Sequence, residues 1–472
     1  MISKSFKGQT GKYLKANPTK IVFILLLLFF LINGLFIALN LVSGTGIIPD
    51  EERTFVLSKQ FSTTLGVPKD APENLKLNQV NEQNPNLYYW INGRIINIVK
   101  LMIPIVDDLG LLKILRVFNV FYALGTVIFC YLLSKEMIDH KWWQLIPVFM
   151  LVCTNAFVFL AGGVNDDNLT HLACSAAIYF LVRILNKRDF LTNSLAMFIS
   201  LAASALIKHR VLPLIFAVIL VWTIYFIKHR KSILPLKVVE TKTFILASVL
   251  VCLIIGNFAI YGYNLAIFHS VLPSCHDVLT AEQCNLRRFY FEDLGPEYQL
   301  AWKNNLVPLT LSESLELGYP GPIRYFFMNW IPYMLTRTFA VFGTNVPISF
   351  LTIITHHILL YTMILITIFY WRDYSLKIIG LLGILIFYTV ILFIYCYRYE
   401  MQISFNYEII QGRYLFSVIN IAFVFAVLVI KRIPPKIIRS LILIIFIVLY
   451  FLTGPMTFIQ LYISPFSKII FN

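Results

Sequence analysis

Four polar stretches interrupt an otherwise apolar chain with residue types able to do chemistry: Pro49-Asp50-Glu51, Asn165-Asp166-Asp167-Asn168, Lys208-His209-Arg210 and Gln411-Gly412-Arg413-Tyr414. Asp50 and Glu51 are a carboxylate pair placed directly after a long apolar segment. They either serve a reaction there or merely end a helix and solvate its exit. Asn165 and Asp166 can hold a hydroxyl, or the turn can cap the next helix through Asp167 or Asn168. Lys208 and Arg210 are the usual cations for phosphate, and an arginine engages two oxygens at once. The competing reading is a helix end whose basic side chains snorkel. Arg413 adds a further cation just before an apolar segment.

The elements that position these stretches are membrane helices. Hydrophobic residues make up 58% of the chain and charged residues only 13%, about half the charged fraction of a soluble domain. Ile21 to Val42 is long enough to cross a bilayer. Further apolar segments run near Phe118–Leu133, Leu145–Leu160, Leu169–Leu185, Leu191–Ile207, Val211–Ile227, Phe244–Tyr261, Ile348–Tyr370, Ile378–Tyr395, Leu415–Ile430 and Ile437–Phe458. The pattern predicts an all-α polytopic membrane protein, a single integral-membrane domain over 1–472 with about eleven transmembrane helices. Lys4, Lys7, Lys12, Lys15 and Lys20 precede the first segment without an acid, so the positive-inside rule places the N-terminus in the cytoplasm. Each of the clusters Lys187-Arg188, Lys228 to Lys231, Arg372 to Lys377 and Lys431 to Arg439 then falls on the cytoplasmic side. Asp50, Asp166, Lys208, Arg413 and the C-terminus fall outside. Lys208 and Arg210 break the charge rule for a short outer loop, which is the reason to read them as anion ligands.

Two outer segments exceed a turn: 44–116 and 262–347. In the first, Asn86 to Val99 sets apolar residues at helical spacing with Tyr88 and Tyr89 at one end, as in a helix lying in the membrane interface. In the second, Cys275 and Cys284 are placed for a disulfide in an oxidising compartment, with zinc held by them and His276 or Asp277 as the competing reading. The net charge of +15 is spread over interhelical clusters, a pattern of membrane orientation and lipid contact rather than of nucleic-acid binding. No glycine-rich phosphate loop of the nucleotide-binding kinds is present. The apolar segments are nearly free of charge, which disfavours a transporter.

Taken in order, Pro49-Asp50-Glu51, Asn84-Pro85-Asn86-Leu87-Tyr88-Tyr89, Asn165-Asp166, Lys208 and Gln411-Gly412-Arg413-Tyr414 resemble the motifs of the GT-C superfamily, integral-membrane glycosyltransferases that use polyprenyl-phosphate sugars. The likeness covers most of the chain and is closest to bacterial enzymes of surface glycans. Thr54 stands where that pattern has a histidine, and Asn86 where it has a second proline. The resemblance implies a GT-C-like helix bundle in a bacterial cytoplasmic (inner) membrane. It implies an inverting transfer from an undecaprenyl monophosphate sugar to an extracytoplasmic glycan or lipid-linked acceptor, such as O-antigen in lipopolysaccharide modification. On that reading Asp50 is the general base and Glu51 orients it or binds the acceptor. Lys208, Arg210 and Arg413 hold the donor phosphate. Asn165, Asp166, Tyr88, Tyr89, Gln411 and Tyr414 contact sugar or acceptor. No cofactor is expected; a divalent metal at Asp50, Glu51 and Asp166 is the less favoured variant. A flippase and a cytoplasmic polyprenyl-phosphate glycosyltransferase are the expected functional partners. The alternative is an O-antigen polymerase or ligase, for which Arg287-Arg288, Arg324 and Arg337 are candidate residues.

Overall fold

A computed structural model describes residues 18–42, 48–69, 84–233, 241–273, 275–280, 282–283, 311–316, 318–342, 346–347, 350–402 and 409–456. Among these the chain is helical apart from one two-residue antiparallel strand pair, Val341–Phe342 with Val346–Pro347. The principal helices are α1 (Pro18–Asn40), α2 (Glu51–Ser62), α3 (Leu87–Met102), α4 (Asp108–Met137), α5 (Leu145–Val152), α6 (Asn155–Ala161), α7 (Asp166–Leu185), α8 (Phe190–Ile207), α9 (Leu212–Ile233), α10 (Thr241–Asn257), α11 (Phe350–Phe369), α12 (Leu376–Gln402), α13 (Ile419–Lys431) and α14 (Lys436–Phe451). Eight helices among the described residues are long and apolar enough to cross a membrane. Their outward faces stay apolar: α10 buries none of its residues and exposes Phe244, Ile255 and others. Such faces are stable only against lipid, and the closed helical hydrogen-bonding that a bilayer demands is present along each of them. The protein is a multi-pass membrane protein.

Beside these eight, the predicted segment Ile348–Tyr370 is present as the 20-residue apolar helix Phe350–Phe369, whereas Ile419–Lys431 is a shorter apolar helix of 13 residues. Leu145–Leu160 breaks in two at Cys153 and Thr154. There Thr154 turns its hydroxyl back onto the Met150 carbonyl at 2.8 Å, and Asn155 donates to the Thr453 carbonyl. Gly454 lies against the Cys153 backbone so closely that a Cβ would overlap the Cys153 carbonyl oxygen. Irregular backbone at that depth survives because α5 and α6 are buried almost throughout, where neighbouring chain supplies the partners.

A core of α1, α4, α5, α6, α7 and α13 side chains, including Phe30, Phe157, Ile178 and Phe416, fills the bundle. α7 packs on α4 and α8, and α8 on α10. A second, smaller core joins α2 and α3 through Leu57, Phe61, Tyr88, Tyr89 and Ile96 to Leu115 of α4. The helix predicted from the spacing over Asn86 to Val99 is thus present as α3, with α2 as its partner. At their crossing Gly93 allows the Phe61–Ser62 backbone to approach within Cβ overlap. Beyond it Leu101, Met102 and Ile105 are exposed, as expected for a helix end in the interface. The next helix, α4, starts at Asp108, capped by the Asp107 carboxylate on the Gly110 N–H at 2.8 Å.

Candidate active site

Four chain segments converge beside Asp50. Asp50 itself is a left-handed residue (φ 61°, ψ 9°) directly before α2, a conformation that aspartate tolerates better than most residues and that concentrates at functional sites. It is pinned from both sides by the turn after α6. Asn165 donates its side-chain N–H to the Pro49 carbonyl at 2.7 Å, and the Val164 N–H donates to Glu51 Oε1 at 2.9 Å.

Glu51 faces away from the Asp50 carboxylate. Arg116 of α4, fully buried, grips it with Nε to Oε1 at 2.9 Å and Nη2 to Oε2 at 2.5 Å, while Nη1 donates to the Leu41 carbonyl at 2.7 Å. One guanidinium thereby joins the end of α1, the start of α2 and the middle of the first long bundle helix. Both carboxylate oxygens are engaged in holding this junction.

Asn165 caps α7 by accepting from the Asp167 N–H at 2.8 Å. Asp167 and Asn168, the alternative candidates for that cap in the sequence, lie inside the helix. Asn168 donates to the Leu160 carbonyl and to Asn119 Oδ1, and Asn119 also accepts from the Tyr88 hydroxyl at 2.9 Å. Both tyrosines are buried: Tyr88 belongs to this asparagine hub, and Tyr89 lies against Arg53. Their phenols are held protonated, chiefly by burial. Asn165→Ser keeps an oxygen for the cap and loses the reach to Pro49. The expected result is a change in thermal stability under about 1 kcal/mol, whereas Asn165→Ala loses cap and clamp and falls further, by roughly 1–2 kcal/mol. Thermal unfolding in detergent micelles of the two variants side by side checks this, and equal losses would refute the double role.

The charged centre lies in front of Asp50. Arg413 Nη2 donates to Asp50 Oδ2 at 2.7 Å, and its Nε is 3.4 Å from Asp167 Oδ2. Lys208 Nζ donates to Asp166 Oδ1 at 2.8 Å and also pairs with Asp167. Arg210 lies over the Tyr414 ring, 4.2 Å from its centroid, with Tyr395 on the other flank. Burial alone would raise the Asp50 carboxyl, but Arg413, Arg53 and Lys208 outweigh it and hold the group below the ordinary carboxylate range. Burial likewise works against the Lys208 ammonium, and Asp166 and Asp167 reverse it, so the lysine stays charged above its usual range.

This centre carries more cations than its acids neutralise: Arg53, Lys208, Arg210 and Arg413 against Asp50, Asp166 and Asp167. Among the described residues, Arg413 Nη1 is buried without a hydrogen-bond partner, while Nε and Asp167 Oδ2 meet only at ion-pair distance. A buried guanidinium N–H left without an acceptor is costly. A cleft opens beside it, lined by Pro49, Phe159, Leu160, Arg337, Gln411 and Gly412 among others. Gly412 is required there: a Cβ would sit 2.5 Å from the Arg337 backbone, where a π turn (Thr336–Ala340) crosses the 3-10 segment Gly412–Ser417.

Asp50, Asp166, Lys208, Arg210, Arg413 and Tyr414 thus come together, with Gln411 at the adjoining cleft. Asp167, Arg53 and Arg116 were not singled out by the sequence reading. Asp167 was visible there only as a capping candidate, and for the two arginines nothing marked them off from ordinary basic residues near a membrane. No group of three or more His, Cys, Asp or Glu side chains suited to a metal ion occurs among the described residues. The Cys275–Cys284 pairing lies outside the described residues, as do Arg287 and Arg288.

No protein-family model matches this sequence, and no curated protein is similar to it. Among solved structures the chain is similar to ArnT from Cupriavidus metallidurans bound to undecaprenyl phosphate, at 12% identity and a TM-score of 0.45, and to the apo state of the same protein, at 13% and 0.45. The matches cover 91% and 90% of this chain but 63% and 62% of those, so it spans less than two thirds of their length.

Proposed function

We propose that this protein is an inverting glycosyltransferase that moves a sugar from a polyprenyl monophosphate carrier to a hydroxyl of an extracytoplasmic glycan or lipid-linked acceptor. The observation that carries the reading is Arg413: a buried guanidinium with an idle Nη1, next to Lys208 and in contact with Asp50, at the end of a lipid-facing helix bundle. A phosphodiester brings one negative charge, which suits a centre with one cation in excess. The group that leaves, the polyprenyl monophosphate, is already acidic, so the reaction needs no general acid.

Asp50 takes the acceptor proton, the freed oxygen pair attacks the anomeric carbon, and the bond to the phosphate oxygen breaks on the opposite face. Arg413 and Lys208 stabilise the charge that collects on the phosphate. Asp167 holds both cations in place, and Asp166 holds Lys208. Glu51 acts through the backbone by fixing the turn that presents Asp50. Tyr414 carries Arg210 on its ring and so sets the outer edge of the phosphate site.

A polyprenyl monophosphate should bind the purified protein, and the unphosphorylated polyprenol should not. Arg413→Ala should weaken that binding by roughly ten- to a hundredfold, since a charged hydrogen-bond partner of about 1.5–3 kcal/mol is lost. Equal binding of alcohol and phosphate, or an Arg413→Ala protein that binds as wild type does, would remove the basis of the proposal.

A further inference from the structure

We infer that Asp50 and the incoming phosphate are alternative partners of the same Arg413 guanidinium, so that seating the donor is what frees the base. The inference rests on the function proposed above and adds an order of events to it. Arg413 touches two carboxylates, and they differ in freedom. The Asp167 side chain is 2% exposed and also bound by Lys208, whereas the Asp50 side chain is 35% exposed and held at this end by Arg413 alone at 2.7 Å. An anion entering beside the idle Nη1 therefore competes with the more exposed Asp50 rather than with the doubly held Asp167.

The backbone around Asp50 cannot follow its carboxylate. Asn165 holds the Pro49 carbonyl, and Arg116 and the Val164 N–H hold Glu51. Release is a side-chain rotation on a fixed turn, which keeps the base within reach of the reacting hydroxyl.

The groups facing Asp50 are Arg413, Arg53 from α2 and Lys208 from the segment after α8, with Asp166 and Asp167 of α7 behind Lys208 and Tyr89 of α3 behind Arg53. In the free protein the cations hold its carboxyl low, and it is a weak base. Loss of Arg413 and the arrival of a neighbouring anion both act to raise it. Base strength thus appears only when a donor is present.

The test uses the full chain in detergent micelles with farnesyl monophosphate as the probe, by calorimetry. Asp50→Asn should bind the probe roughly three- to tenfold tighter than wild type, because a competing charge-assisted contact is gone. Asp108→Asn removes the same charge at the exposed pair with Lys59 and should leave the affinity unchanged. Unchanged or weaker binding by Asp50→Asn overturns the inference, as does equal tightening by Asp108→Asn. Failure of the wild type itself to bind the probe would instead count against the phosphate site.

Discussion

Replacing Asp50 by asparagine is expected to lower sugar transfer by about 10²–10⁴-fold, the span typical of losing a general base. Asparagine is nearly isosteric and is among the few residues at ease in the left-handed conformation this position takes (φ 61°). The turn should therefore keep its shape, with Asn165 on Pro49 and Arg116 on Glu51. The lost activity then belongs to the carboxylate and not to unfolding. Transfer of radiolabelled sugar from a lipid-linked donor pool, measured beside a thermal unfolding curve, separates the two. A variant that turns over like wild type removes Asp50 from the mechanism. The lowered carboxyl of Asp50 also fixes a pH behaviour. Its ion pairs stabilise the fold above its ordinary value of 3.8, and that contribution is lost as pH falls through the lower value held in the folded state. For the same reason this group gives kcat/KM, which reports the free enzyme, no acid limb between pH 8 and 5.

Arg116→Met should be the most destabilising single change among the residues discussed, by about 3–5 kcal/mol. It leaves the Glu51 carboxylate buried and uncompensated, and strips the Leu41 carbonyl of its donor. A loss of that size is a large share of a domain's net stability, and it falls on the junction of α1, α2 and α4. Glu51→Leu combined with Arg116→Met should recover part of it, because an apolar pair of similar volume relieves the unpaired charge. Recovery stays incomplete, since the Val164 N–H and the Leu41 carbonyl remain without these partners, at about 1–3 kcal/mol each. Thermal unfolding of the two single variants and the double variant gives the coupling directly. A double variant no better than Arg116→Met would mean that the pair contributes little as a pair. The double variant should still transfer sugar poorly, because the turn that presents Asp50 has lost its anchor on the Glu51 side.

Much of the architecture is written locally in the chain. Apolar runs of bilayer length with basic ends fix α1, α4, α8, α9 and α12 as membrane helices, because lipid demands only that each segment be long, apolar and internally hydrogen-bonded. The helical spacing from Asn86 to Val99 likewise fixes α3 as a helix. The sequence also flags Asp50, Asp166, Lys208 and Arg413, since charge beside an apolar run is costly enough to need a reason. It does not say which charges face one another. Glu51 and Asp50 are neighbours in the chain, yet only the packing of α4 turns Glu51 to Arg116 and leaves Asp50 to Arg413, across 363 residues. Asp166 and Asp167 read alike in the sequence, but the helix start sends Asp167 between Lys208 and Arg413 and leaves Asp166 to Lys208 alone. The break at Cys153 and Thr154 is equally illegible, because its cause is the backbone at Thr453 and Gly454. Periodicity and hydropathy report what a segment needs from its solvent; the partner of a buried charge or a crossing backbone comes from distant segments, and only tertiary packing supplies it.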